Sequence, residues 1–365
     1  MCGIFDALFL RQDANAKTDR KASAVKYLIF SKLTKVFNKY FNSQEYIQSI
    51  EAGNFVATAL ALFEYQYQHN AIYQRFCNAL NTDPAKVVNL QTIPYLPISF
   101  FKNFKVTTGP EKNALLVFES SRTSGDTASR HFVPNEELYH AALLKGFSEF
   151  YGDPARYTIL ALLPSYLERS NSSLVHMAQS LMNLSRQEHN GFYLNDFEKL
   201  ANTLLHLEKN KKPTLLLGVT FALLDFAEQY PLQLEHTTIM ETGGMKGRRE
   251  EWTREQVHDF LIEKWGVPAI HSEYGMTELL SQAYSAGGGL FRTSSTMQVL
   301  VRDVNDPLDI SRAGTGCINV ADLANVDSCA FIATDDIGRL FVDDTFEVLG
   351  RADNSVLRGC SLMAL

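Results

Sequence analysis

Long stretches without proline, with apolar residues at helical spacing, make up the first quarter of the sequence. Residues 1–95 are rich in Lys, Gln, Ala and Phe, and the pattern predicts helices over 22–41 and 57–80. The helical character ends at Pro94 and Pro97. We therefore expect a helical N-terminal region over residues 1–95.

From residue 114 onward, apolar runs of strand length alternate with amphipathic helices. The strand-like runs cover 115–118, 157–163, 215–218 and 237–240, and the helical patterns cover 136–151 and 253–265. Such alternation is typical of a parallel sheet with helices layered on its faces. It predicts an α/β core over residues 96–290.

Beyond residue 290 the predicted elements become short strands separated by turns. Strand patterns cover 297–302, 316–322, 329–334, 340–342 and 347–349. They predict an antiparallel β subdomain over residues 291–365.

Charge and composition narrow the possible partners. A net charge of −7 over 365 residues disfavours nucleic acid, because phosphate backbones attract clustered Lys and Arg. No run approaches the roughly 20 apolar residues that span a bilayer, and no basic start with an apolar run suggests a signal peptide. Five cysteines without CxxC spacing argue against a disulfide framework or a zinc site. We expect a cytoplasmic protein.

A loop dense in hydroxyl groups follows the strand pattern at 115–118 and precedes another at 130–133. Its sequence, SSRTSGDT at 120–127, offers hydroxyls and backbone amides that can surround phosphate oxygens. A Ser/Thr-rich hairpin turn explains the same residues equally well. The candidate phosphate ligands are Ser120, Ser121, Thr123, Ser124, Gly125 and Thr127.

A second segment, SEYGMTE at 272–278, combines an aromatic ring, a hydroxyl and a carboxylate. Tyr274 can stack on a purine, Thr277 can contact a phosphate, and Glu278 offers the hard oxygens that Mg²⁺ prefers. By itself the segment also fits a capped helix N-terminus. Further on, Asp336 in ATDDIG can accept both hydroxyls of a ribose, and Arg351 in GRAD adds a guanidinium.

In this order, the motifs resemble those of the adenylate-forming superfamily of acyl-CoA synthetases, luciferases and peptide-synthetase adenylation domains. ETGGMKG at 241–247, together with SGDTASR and LPSYLERSNSSL, is similar to one branch, the LuxE-type acyl-protein synthetases. The resemblance covers about residues 90–365. It implies a large layered α/β domain, a small β subdomain, and a truncated C-terminal domain.

The resemblance also implies roles for individual residues. It assigns adenine stacking to Tyr274, nucleotide lining to Gly243, Gly244 and Gly275, α-phosphate contact to Thr277, Mg²⁺ binding to Glu278, and ribose binding to Asp336 (rather than Asp335) and Arg351. The superfamily's catalytic lysine lies in the C-terminal domain that the resemblance does not cover. The nearest basic candidates to replace it are Lys246, Arg248 and Arg249, of which Lys246 is chosen, although a solvated basic turn is the alternative. Cys360, on the C-terminal tail, is the candidate acyl acceptor, although free cysteines more often pack as small apolar groups.

The implied activity is ATP- and Mg²⁺-dependent activation of a carboxylic acid, expected to be a fatty acid, as an acyl-adenylate. The acyl group then passes to a protein thiol, with a reductase or acyltransferase protein as a possible partner. Two alternatives remain open: an acyl-CoA ligase of the phenylacetate type, and a nucleotide- or acyl-binding protein without catalysis. The start MCGIF resembles N-terminal-nucleophile amidotransferases, but helical patterns rather than a β-rich layer follow it. HExxH, HxxxH and GxSxG patterns do not occur.

Overall fold

The computed structural model describes residues 42–109, 114–120, 127–164, 171–243 and 252–352. The N-terminal helices are α1 (Ser43–Gln48), α2 (Phe55–His69) and α3 (Ala71–Ala79). The single helix predicted over 57–80 is wrong, because Asn70 adopts an extended backbone conformation and its side chain caps α3 by accepting from the Tyr73 amide at 3.0 Å. The helix predicted over 22–41 lies outside the described residues.

A seven-stranded sheet forms the body of the protein. In spatial order it runs β10–β9–β8–β7–β6–β4–β5, and β5, β4, β6, β7 and β8 are parallel. The strands are β4 (Thr158–Leu162), β5 (Gly191–Phe192), β6 (Thr214–Gly218), β7 (Thr237–Glu241), β8 (His271–Tyr274), β9 (Ala283–Ser285) and β10 (Arg292–Thr293). Every residue of β4 and β6 is buried, as their continuous apolar sequences predict for central parallel strands.

Helices connect these strands, as the alternating pattern predicts. The connecting helices are α6 (Ser173–Ser185), α7 (Phe197–Lys209), α8 (Thr220–Gln229) and α9 (Arg254–Trp265), while α4 (Phe100–Asn103) and α5 (Glu136–Tyr151) precede β4 in the chain. A capping box of Thr253 and Gln256 starts α9, and Gly266, with φ of 65°, ends it. The sequence patterns used above do not single out α6 and α7.

A second sheet carries the C-terminal strands. Its order is β1–β14–β13–β11–β12, with β15 also paired to β14. The strands are β1 (Leu96–Pro97), β11 (Met297–Arg302), β12 (Ile310–Ser311), β13 (Gly314–Asp322), β14 (Phe331–Leu340) and β15 (Phe346–Arg351). The separate strands predicted at 329–334 and 340–342 are wrong: one continuous strand, β14, pairs on both sides, and Val342 beyond it is 93% exposed.

The N-terminal helices pack against this second sheet rather than standing alone. The side-chain amide of Gln66 donates to the carbonyl oxygens of residues 325, 326 and 328 and accepts from the Ala330 amide at 3.0 Å. Phe63 lies edge-on against Phe331. A separate hairpin of β2 (Leu116–Glu119) and β3 (Arg130–Val133) matches its prediction. Among the described residues, no helix has the length and apolarity that crossing a bilayer requires.

Candidate functional site

A cleft of about 2010 Å³ opens where the carboxyl ends of β7 and β8 meet the second sheet. Every predicted site residue that the structure describes lines it: Ser120, Thr127, Gly243, Tyr274, Gly275, Thr277, Glu278, Asp336 and Arg351. Ligands of open α/β sheets bind outside the carboxyl ends of the strands. The volume exceeds the upper range of about 1,000 Å³ for single-ligand pockets, so the cleft has room for a nucleotide and an acid together.

The predicted residues that lie outside the described parts are Ser121, Thr123, Ser124, Gly125, Gly244, Lys246 and Cys360. Ser120 and Thr127 mark the two ends of the 120–127 loop. The hydroxyl of Ser120 accepts from the Ser129 amide at 2.9 Å, and the Ser120 amide donates to the Ser129 carbonyl at 3.0 Å. The two ends of the loop are therefore joined where β2 and β3 meet the cleft.

Tyr274, Asp336 and Arg351 form a hydrogen-bonded chain across the two sheets. The Tyr274 hydroxyl donates to Asp336 Oδ2 at 2.9 Å, and Arg351 Nε donates to Asp336 Oδ1 at 3.1 Å. Asp336 and Arg351 are direct partners in the β14–β15 register. Burial and the charge of Asp336 raise the pKa of Tyr274 well above its ordinary value. Although burial opposes it, the charge of Asp336 raises the pKa of Arg351, so the guanidinium is held in its charged form.

The aromatic ring of Tyr274 is fixed by two phenylalanines. Its centroid lies 5.5 Å from that of Phe346, at an interplanar angle of 80°, and 6.0 Å from that of Phe291. These edge-on contacts are favourable for aromatic pairs and hold the ring at the wall of the cleft. Asp335, the neighbour of Asp336, is exposed and lines the same cleft, but the Tyr274 hydroxyl donates to Asp336.

Two buried polar residues that sequence reasoning missed position the loop after β8. His131 Nδ1 lies 2.9 Å from the Thr277 carbonyl oxygen, and His131 Nε2 lies 3.1 Å from Asn325 Oδ1. The Asn325 amide donates to the Glu278 carbonyl oxygen at 2.8 Å. Burial lowers the pKa of His131 to about 4, so the ring is neutral at physiological pH. Their positions, 131 and 325, are too far apart in sequence to signal a shared role.

Asp322, at the end of β13, continues this support. Its carboxylate accepts from the amides of Leu280 and Ser281 at 2.7 and 3.0 Å and from the Ser281 hydroxyl at 2.6 Å. Burial raises the pKa of Asp322, and these hydrogen bonds oppose the rise. The 275–281 segment is thus fixed to the second sheet from both of its ends.

Glu241 anchors the start of the 243–250 segment. Its Oε1 accepts from the Thr220 hydroxyl at 2.5 Å and from the Gly243 amide at 2.8 Å. Burial acts to raise the pKa of Glu241, but hydrogen bonds from His258 and Thr220 outweigh it, and the net pKa is lowered. Gly243 has φ of 72°, a conformation that favours glycine. Glu241 is the first residue of the ETGGMKG motif, but the sequence alone assigns it no role.

Glu278 lies 4% exposed in the cleft. Burial raises the pKa of its carboxyl; Ser129 and Arg351 oppose the rise, and the charge of Asp336 adds to it. The carboxylates of Glu278 and Asp336 therefore share one guanidinium. A divalent cation that prefers oxygen ligands would offset the charge of these two carboxylates, and Glu278 is the residue that would hold it.

Comparison with known proteins identifies relatives of this fold. A family model described as "Acyl-protein synthetase, LuxE" matches residues 34–364. No curated protein sequence matches the chain. Among solved structures, 2-hydroxyisobutyryl-CoA ligase in complex with 2-HIB-AMP is similar with a TM-score of 0.59 and 13% identity, covering 84% of this chain and 69% of that one.

Two further structures are similar at 16% identity. The ATP-bound RpMatB-BxBclM chimera B1 has a TM-score of 0.51 and covers 67% of this chain and 49% of its own. A long-chain-fatty-acid-CoA ligase from Archaeoglobus fulgidus has a TM-score of 0.50 and covers 67% of this chain and 53% of its own. At these identities the similarity shows the fold alone, and this chain spans about half the length of the chimera. The predicted α/β fold of adenylate-forming enzymes is confirmed.

Proposed function

Because the chain belongs to the LuxE acyl-protein synthetase family, we propose that it uses ATP to activate a carboxylic acid and passes the acyl group to a protein cysteine. The observation that carries this proposal is the meeting of three separate motifs in one cleft. Tyr274, Glu278, Asp336 and Arg351 come from a loop and three strands of two sheets, and they line one cavity. An adenosine, a phosphate chain and a cation require this combination of groups.

Asp336 is suited to bind the ribose. Each of its carboxylate oxygens accepts one protein hydrogen bond, from Tyr274 or from Arg351, and each retains a further lone pair for a ribose hydroxyl. The two protein donors hold the carboxyl group in one orientation. Tyr274 would present its ring to the adenine, and Gly243, Gly244 and Gly275 would allow the nucleotide to approach the backbone closely.

The phosphates would lie between the 120–127 loop and Thr277. Ser120, Ser121, Thr123, Ser124, Gly125 and Thr127 supply the hydroxyls and amides of that loop. Glu278 would hold Mg²⁺, which neutralises phosphate charge when it is bound. Lys246 is proposed as the additional cation near the transferred phosphoryl group.

In the first reaction, a carboxylate oxygen of the acid forms a bond to the α-phosphorus of ATP. The bond from that phosphorus to the bridging oxygen breaks, and the electron pair leaves with pyrophosphate, so the product is an acyl-adenylate. In the second, a cysteine thiolate forms a bond to the acyl carbon and AMP leaves with the electron pair. Cys360 is the proposed thiol, and its proton passes to solvent.

The proposed acid is a fatty acid or another apolar carboxylic acid. Leu174, Met177 and Phe221 line the same cleft as the nucleotide residues, and they offer the apolar surface that such a chain needs. A reductase or acyltransferase protein would take the acyl group from the thioester. That reductase or acyltransferase would carry out the next reaction of the acyl group.

Pyrophosphate exchange into ATP tests the first reaction. We expect exchange that depends on the carboxylic acid, and we expect Glu278→Gln to reduce it without changing the circular dichroism spectrum. Glu263→Gln, a change at an exposed residue of α9, is the matched control. Absence of acid-dependent exchange across a broad panel of acids would leave a binding protein without catalysis as the better explanation.

Mass spectrometry tests the second reaction. With ATP and an active acid, we expect a mass increase that hydroxylamine removes and that Cys360→Ala abolishes. Exchange of pyrophosphate should continue in that variant, because the first reaction does not use the thiol. Full-rate thioester formation with CoA in Cys360→Ala would instead favour an acyl-CoA ligase.

A further inference from the structure

Glu273 presents an unpartnered carboxyl group to the cleft. It precedes Tyr274 on β8 and lines the same cavity, on the opposite face of the strand. In the described part of the chain, Glu273 has neither a hydrogen bond nor an ion pair. Glu273 is half-buried, and polar groups withdrawn from water are normally hydrogen-bonded, so this carboxyl group can take a partner.

Two neighbours also hold unsatisfied polar atoms. Gln282 is 5% exposed and Tyr284 is 2% exposed, and Gln282 Oε1 and the Tyr284 hydroxyl have no hydrogen-bond partner among the described residues. Glu273 and Tyr284 are directly opposed in the β8–β9 register. Gln282 precedes Tyr284 by two positions, so an extended chain places both on one face.

Glu273 and Gln282 converge beside Gly275. A Cβ atom at Gly275 would lie 2.4 Å from Glu273 Oε1 and 3.7 Å from Gln282 Cγ, so a side chain at this position would displace the Glu273 carboxyl group. Tyr139 of α5 lines the same part of the cleft, and burial together with the charge of Glu273 raises its pKa. The Tyr139 hydroxyl donates to the Ser173 carbonyl oxygen.

The electrostatic environment of Glu273 favours a hydrogen-bond donor or a cation. Burial, and then the charge of Glu241, raise the pKa of Glu273 to about 8. The Gln282 side chain already donates to the Leu280 carbonyl oxygen, which leaves its oxygen as an acceptor. The Gln282 oxygen and the carbonyl oxygen of the Glu273 carboxyl group are therefore two acceptors at this corner of the cleft, and a ligand that donates hydrogen bonds complements them.

We propose that Glu273 and Gln282 recognise a hydrogen-bond-donating substituent, a hydroxyl or a protonated amine, on the carboxylic acid substrate. The inference rests on the proposed acid activation and narrows its substrate class. Leu174 and Met177 line the neighbouring wall and contact the carbon chain, while the substituent pairs with the two acceptors. A site built to pair a polar group rejects the analogue that lacks it, because its own groups then stay unpaired.

Matched acids test this recognition. Unsubstituted, ω-hydroxy and ω-amino acids of equal chain length, over a series of lengths, are compared by kcat/KM in pyrophosphate exchange. At the best length we expect a substituted acid to exceed the unsubstituted one by roughly 10- to 100-fold, the effect of one buried hydrogen bond. The hydroxy and amino series separate the two donor chemistries.

Variants assign the effect to the two residues. Glu273→Leu and Gln282→Leu should bring the ratio close to 1, largely by lowering kcat/KM for the substituted acid, whereas Glu263→Gln should leave it unchanged. An unchanged ratio in Glu273→Leu, or equal use of all three acids by the native protein, overturns this inference while acid activation stands. Absence of exchange with every acid overturns the proposed function itself.

A second observation, independent of the cleft chemistry, concerns α5 and α6. Glu136 and His140 are one helical turn apart on α5, and His176 of α6 lies beside them. His140 Nε2 and His176 Nε2 each lie 3.6 Å from Glu136 Oε1, and the ligand atoms all lie within 4.8 Å of one another. His176 Nε2 is buried without a hydrogen-bond partner in the described residues.

Two imidazoles and one carboxylate are a frequent ligand set for zinc. Bonds of about 2.0–2.1 Å in tetrahedral geometry separate ligand atoms by roughly 3.3 Å, close to the two 3.6 Å distances here. We infer that this cluster binds a divalent transition metal of the Zn²⁺ class, which joins the N-terminal turns of α5 and α6. The ligands come from two helices, so no short sequence motif signals them.

Metal titration tests the cluster. Chelator-treated full-length protein is titrated with ZnCl₂ against a chromophoric chelator, and with CoCl₂ for its visible absorption. We expect one ion per chain, and at least about tenfold weaker binding in His140→Ala and Glu136→Gln. The matched control is His206→Ala, at an exposed histidine that lies edge-on against His189. Binding that is absent, or equally tight in His140→Ala and the control, overturns the assignment.

Discussion

The hydrogen bond between Tyr274 and Asp336 joins the two sheets at the proposed nucleotide site, and a double-mutant cycle can measure it. Tyr274→Phe removes the hydroxyl that donates to Asp336 Oδ2 at 2.9 Å and leaves the ring contacts with Phe346 intact. Asp336→Ala removes the acceptor. The double variant removes both, so the cycle isolates the contact between them.

The structure sets the expected magnitude. Both residues are 8% exposed, and the acceptor is a carboxylate that also pairs with Arg351 Nε at 3.1 Å. Hydrogen bonds to charged groups contribute about 1.5–3 kcal/mol, so we expect a coupling free energy in this range. Because Asp336 also binds the ribose in the proposed function, Tyr274→Phe should weaken ATP binding by roughly tenfold, equivalent to about 1.4 kcal/mol.

Urea unfolding of the four proteins gives the coupling, and the KM for ATP in pyrophosphate exchange gives the functional effect. A matched cycle uses Tyr157→Phe, which removes a hydroxyl bonded to the Tyr151 carbonyl oxygen at 3.1 Å, outside the cleft. Tyr157→Phe and Asp336→Ala should be additive. A coupling below about 0.5 kcal/mol between Tyr274 and Asp336, the usual scatter for independent sites, would refute this reasoning.

Three further predictions follow from the buried ionisable groups. Burial lowers the pKa of His131 from 6.5 to about 4, so between these pH values the unfolded chain binds a proton that the native state excludes. The free energy of unfolding should therefore fall by up to about 3 kcal/mol as the pH drops from 6.5 to 4. Urea titrations of His131→Gln should lack this fall. Burial raises the pKa of Glu273 to about 8, so the native state keeps a proton that the unfolded chain loses, and the free energy of unfolding should fall as the pH rises from 4.5 to 8. Relative to the native sequence, the free energy of unfolding of Glu273→Gln should rise by about 2–4 kcal/mol over that range. Parallel pH profiles of the two proteins would count against the argument. Glu278→Gln should lower the pyrophosphate exchange rate by roughly 100-fold, measured at saturating ATP, and near-native exchange would remove Glu278 from the cation site.

Sequence patterns predicted most of the elements that place the site. The helices at 136–151 and 254–265 follow from periodicity and, for α9, from a capping box, both of which are local signals. The apolar runs of β4 and β6 follow from complete burial in a parallel sheet, and that of β7 from burial of all but one residue. The residues chosen for the cleft also came from contiguous motifs, each read from a few neighbouring positions.

The patterns failed where tertiary contacts decide the outcome. The break at Asn70 depends on a side-chain cap inside a sequence that favours helix throughout, and the same side chain donates to the Ser328 carbonyl oxygen. In β14, the acidic pair at 335–336 suggests a turn, but strands on both sides keep it extended. His131 and Asn325 act through contacts between residues 194 positions apart, which a single sequence does not reveal.

The hydrogen bonds between Gln66 and the second sheet have a consequence for synthesis on the ribosome. Its hydrogen-bond partner Ala330 is 264 positions later in the chain. At about 5–20 residues per second, roughly 13 to 53 s pass between the emergence of the two. During this interval Phe63 cannot make its ring contact with Phe331, so apolar faces of the N-terminal helices remain exposed to solvent. We therefore expect nascent chains to recruit a holding chaperone until β14 is translated.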